Sequence, residues 1–96
     1  MISTFRDYEL RDTNHYHAHI EVNPIGVLDV DIIEKKEHHQ TDLCDISFEK
    51  LAGKTRVKGK EAKHQWQLDL DDKDANELHQ LISEANEEYE TLMRDL

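Results

Sequence analysis

From His15 to Ile32 the chain reads His-Tyr-His-Ala-His-Ile-Glu-Val-Asn-Pro-Ile-Gly-Val-Leu-Asp-Val-Asp-Ile, with polar and apolar residues alternating on both sides of Asn23-Pro24-Ile25-Gly26. A period of two broken by a turn sequence fits a β-hairpin and little else. Pro24 presets φ for the first central turn position and Gly26 supplies a left-handed residue, so a type I turn with a G1 bulge is predicted. That turn sets the register. Val22 should face Leu28, Ile20 face Val30 and Ala18 face Ile32 on the buried side, while Glu21 meets Asp29, His19 meets Asp31 and His17 meets Ile33 on the wet side.

Further strands are expected at Cys44, Ile46 and Phe48, with all three inward, and at Trp66, Leu68 and Leu70. Tyr8 and Leu10 suggest a first strand, Thr55 to Lys58 a short edge strand, and His38-His39 a turn. Asp71 or Asp72 should cap a helix whose apolar stripe is Ala75, Leu78, Leu81, Ile82, Ala85, Tyr89, Leu92, Met93 and Leu96. The expected fold class is therefore α+β. An antiparallel sheet of about five or six strands, built as a meander of hairpins, is covered on one face by a long C-terminal helix. Residues 1–96 form one domain, with 1–70 mainly β and 71–96 an acidic amphipathic helix.

A helix ending at Leu96 would be roughly 36 Å long against strands of about 20–24 Å, so it should overhang its sheet. Its last turns would pack on the N-terminal strand, on a second copy in a homodimer, or on a foreign partner. With 36% hydrophobic and 35% charged residues the core must be modest, yet the regular spacing of apolar residues argues against disorder. No apolar run approaches the roughly 18 residues of a membrane span, and Met1 to Leu10 lacks a signal-peptide core. Cys44 has no partner for a disulfide. These features give a cytoplasmic expectation.

Charge is distributed unevenly. Asp69 to Leu96 holds ten carboxylates against only Lys73 and Arg94, which is eight of the ten net negative charges of the chain. The early acids Asp71, Asp72 and Asp74 suit the positive end of a helix, but Glu87, Glu88, Glu90 and Asp95 lie toward its negative end and gain nothing locally. Asp74, Glu77, Glu84, Glu87, Glu88 and Tyr89 are therefore the candidate partner-binding residues, facing a protein with a basic surface. Such a row of carboxylates can occupy a basic groove where a nucleic-acid backbone would place phosphates. In size and charge the chain resembles the small acidic bacteriophage inhibitors of nucleic-acid-binding defence enzymes. That likeness implies an inhibitor acting by phosphate mimicry.

Two other readings follow from other residues. His15, His17 and His19 on one strand face, with Asp31 opposite His19, suggest a divalent-metal-binding or metal-sensing protein using His17, His19 and Asp31. No Cys-x-x-Cys or His-Glu-x-x-His pattern accompanies them, and no cofactor is expected. His38-His39, His64 and His79 lie elsewhere in the chain, and histidine titration near neutrality would allow a proton-sensitive interface. Alternatively, the overhanging helix makes a self-associating structural protein. Lys54, Arg56, Lys58, Lys60 and Lys63 form a basic segment, but the helix carboxylates would repel a long nucleic acid, so direct nucleic-acid binding is disfavoured. Gly53-Lys54-Thr55 is not the end of a phosphate-binding loop, because Phe48 stands where that motif needs glycine. An inward Cys44 would be inert and nothing marks a substrate cleft, so an enzyme is not expected.

Overall fold

The computed structural model describes the backbone of residues 2–94 and the side chains of residues 2–88 and 90. Strands β1 (Thr4–Glu9), β2 (His17–Asn23), β3 (Val27–Ile32) and β4 (Glu37–Asp42) form one antiparallel meander in that spatial order. Strands β5 (Ile46–Leu51), β6 (Lys54–Glu61) and β7 (His64–Leu70) form a second, and α1 (Asp72–Arg94) follows. The class is α+β, with one strand more than the upper expectation and two sheets in place of one.

The hairpin has the predicted register, with Asn23 opposite Val27, Ile20 opposite Val30 and Ala18 opposite Ile32. Gly26 has φ +107° and its N–H donates to the Asn23 carbonyl at 3.0 Å. The Asn23 side chain accepts from the Ile25 N–H, also at 3.0 Å, which tightens the same turn.

The inner faces of both sheets and the helix share one core. Ala18, Ile20 and Val22 of β2, Leu28, Val30 and Ile32 of β3, and Val57, Trp66, Leu68 and Leu70 of the second sheet are all buried. Ala75, Leu78, Ile82 and Ala85 bring α1 onto them, following the helical repeat. Asp71 is the cap, since its carboxylate accepts from the Lys73 N–H at 3.1 Å and its carbonyl from the Ala75 N–H at 2.9 Å. Ala85 is the last buried position among the described side chains, whereas Glu87, Glu88 and Glu90 are exposed. Tyr89, Leu92, Met93, Asp95 and Leu96, named above, lie outside the described side chains.

Three expectations are corrected. Thr55 to Lys58 lies not at an edge but in β6, the eight-residue central strand of the second sheet, because β5 and β7 both pair with it. His38-His39 belongs to β4, not to a turn. The alternation signal fails there because Glu37-His-His-Gln-Thr-Asp42 buries one residue, Thr41, whose hydroxyl accepts from the Trp66 indole N–H at 2.7 Å. Cys44 is exposed instead of inward. Leu43 takes the buried place at a 3₁₀ turn over Leu43–Asp45, held by its N–H on the Gly26 carbonyl, and the tight turn swings the next residue outward.

Candidate interaction surface

The helix carboxylates divide into two groups. At the N-terminal end they belong to the fold: Thr55 donates to Asp72 at 2.7 Å, and the Tyr8 hydroxyl donates to Glu77 at 2.7 Å. Arg6 Nε reaches the same Glu77 oxygen at 3.3 Å. Asp74 is half-buried, and burial, then the charges of Asp71 and Glu77, push its carboxyl above its ordinary value. Glu84, Glu87 and Glu88 are exposed, and among the described residues no cation pairs with them. Gln80 donates to Glu84 at 3.2 Å, which leaves its charge in place. Of the five carboxylates named from the sequence, these three remain available to a partner, on neighbouring positions of one helix side.

A second acidic surface lies on the open face of the first sheet. In β1 to β4 the basic side chain is Arg6, which points to the opposite face and Glu77. Register aligns Asp7, His19, Asp31 and His38 in one row across four strands. His19 Nδ1 lies 2.6 Å from Asp7, and His38 Nε2 lies 3.0 Å from Asp29 and 4.0 Å from Asp31. His17 bonds Glu34 at 2.6 Å, which raises the imidazole and lowers the carboxyl. His15, in the left-handed region at φ 52°, bonds Glu9 at 2.9 Å. The ring of Phe5 stacks on His19 at 5.8 Å and 19°, fixing the imidazole plane and accounting for a half-exposed aromatic.

These contacts bear on the metal residues. Asp7 draws His19 toward β1, whereas Glu34, just past β3, draws His17 to the other side of β2. His17, His19 and Asp31 share a strand-pair face, as the sequence suggested, but their ligand atoms do not converge within 4.8 Å. Among the described residues that convergence occurs at Asp42, Cys44 and Asp45, on an exposed turn.

Three of the five cations of the basic segment, Lys54, Arg56 and Lys58, are paired within the chain. Asp69 accepts from Arg56 at 2.9 Å and from Lys54 at 2.8 Å, and Lys58 meets Glu49 at 2.8 Å. Arg56, aided by Lys54, holds the Asp69 carboxyl below its ordinary value. No helix of the described residues is long and apolar enough to cross a membrane. The hairpin register gave the His19–Asp31 pair of this row from sequence, but its extension to Asp7 and His38 was hidden because it depends on pairing β1 and β4 with the hairpin. Compared with known proteins, the chain matches no family model, no curated protein and no solved structure.

Proposed function

We propose that this protein acts by binding a macromolecule with a basic surface, without a reaction of its own, and that Glu84, Glu87 and Glu88 are its leading contacts. One observation carries the reading: these three exposed carboxylates stand together on a helix anchored by its other half, and among the described residues no cation pairs with them. Holding like charges three or four residues apart costs a few tenths of a kcal/mol per pair, a cost that an incoming cationic surface would relieve. Rigid placement favours fast electrostatic encounter and a salt-sensitive complex. A nucleic-acid-binding protein fits this chemistry, and occupation of its groove would make the chain an inhibitor.

The test is affinity capture from a lysate at low and moderate salt, using the natural chain and Glu84→Lys/Glu88→Lys side by side. A basic partner retained by the first and lost by the second supports the proposal. A partner held equally by both overturns it.

A further inference from the structure

The two sheets present four outer edges, and they are not treated alike. The outer edge of β4 is covered by β6 and β7, through Thr41 on Trp66 and through Glu61, which meets His39 at 3.0 Å and the Gln40 N–H at 3.3 Å. At the edge of β7 the Asp69 carbonyl accepts from the Arg11 N–H at 2.8 Å. β5 carries Lys50, the kind of charge that guards an edge against further pairing, and its Glu49 is engaged by Lys58. Among the described residues no strand pairs with any of these outer edges, and that of β1 is bordered by carboxylates on both faces.

That edge is flanked by apolar and acidic groups. Ile2 is 85% exposed and Phe5 52% exposed. Asp7 and Glu9 project on the open face of the sheet. On the helix side, Ile2 and Thr4 share a shallow cleft with Leu81, Glu84 and Glu88. The cation of β1 itself, Arg6, is shared between Glu77 at 3.3 Å and the Phe5 carbonyl, to which its Nη1 donates at 2.7 Å, a bond that an added strand would replace.

Building on the reading above, we infer that β1 takes up an extended Lys- or Arg-rich segment of the partner as an added strand. Backbone pairing on β1 would supply the ladder, and alternation would divide the side chains of the incoming strand between two faces. Residues opposite Asp7 and Glu9 would lie within about 5 Å of them on the open face, while those opposite Thr4 would turn toward Glu84 and Glu88. Cationic side chains meet carboxylates on both sides, and an apolar residue fits opposite Phe5. A second copy of this chain is the wrong occupant, because β1 against β1 would gather Asp7, Glu9, Glu84 and Glu88 of both copies around one seam.

The test uses a capped nine-residue peptide whose central six residues place lysine opposite Thr4, Asp7 and Glu9, valine opposite Phe5 and threonine opposite Arg6 and Tyr8. Its twin is N-methylated at two adjacent central residues, which blocks one amide on each edge but keeps every charge. Amide exchange of β1 should slow when the first peptide is added, and the twin should bind about fivefold more weakly for the loss of the one ladder bond that faces β1. Asp7→Asn/Glu9→Gln, both at exposed positions, should weaken the first peptide and leave the fold intact. Equal binding of both peptides, with changes confined to Glu84 to Glu88, overturns the added strand and leaves the helix reading standing. Binding of neither peptide overturns it, as does protection of β1 without peptide in a chain that sediments as a dimer.

Discussion

The hydroxyl of Tyr8 donates to Oε1 of Glu77 across 2.7 Å and ties β1 to the first turns of α1. This bond explains why one of the acidic residues of the helix serves the fold. Burial, then the hydrogen bond to Glu77, raises the phenol of Tyr8 far above its ordinary value. The folded chain thus keeps a proton that the unfolded chain releases near pH 10. The resulting stability is present below about pH 10 and is lost as pH rises beyond it. Tyr8→Phe should cost about 1 kcal/mol at neutral pH in urea unfolding and flatten the alkaline loss.

Gly59→Ala should be among the most damaging small substitutions in the second sheet. A Cβ at Gly59 would stand 2.3 Å from Cζ2 of Trp66, so the indole must move. Its N–H would then leave Thr41, and its stack on His39, at 5.5 Å and 17°, would shift. A loss of about 2–3 kcal/mol is expected from the overpacking, with a change in tryptophan fluorescence. Thr41→Val, which leaves the indole N–H buried without a partner, should cost about 1–3 kcal/mol.

Acid and neutral pH should act on different ion pairs. Arg56, with Lys54, depresses the Asp69 carboxyl, so its contribution is present above the ordinary carboxylate range and lost as pH falls below it. Asp69→Asn should lower stability at pH 7 by about 2 kcal/mol, less at pH 3, in urea titrations at both pH values. His17 runs the other way: Glu34 raises its imidazole, so the pair contributes below about pH 6.5 and fades as pH rises through the folded value. In an NMR titration His17 should hold its proton above the pH of a free imidazole, and Glu34→Gln should abolish that shift.

Much of the fold is legible in particular residues. Asn23-Pro24-Ile25-Gly26 sets both the turn and the register of β2 on β3, because a local turn dictates which residues oppose each other. The periodic Ala75, Leu78, Ile82 and Ala85 likewise place the buried helix face. β4 is illegible because its stability comes from partners remote in sequence, Trp66 and Glu61, and not from its own apolar content. The helix carboxylates were readable as a group, but which of them are consumed was not. That division depends on Tyr8 and Arg6, which approach Glu77 from 69 and 71 residues away.

The central claim is that available negative charge is gathered at Glu84, Glu87 and Glu88. The most direct measurement is amide chemical-shift mapping during titration with deca-lysine at low salt, on the natural chain and on Glu84→Lys/Glu88→Lys. The account predicts the largest shifts at 84–88, their decline with added salt, and their disappearance in the variant with the rest of the spectrum preserved. Shifts centred on Asp29, Asp31 and His38, or unchanged by the double reversal, would contradict it.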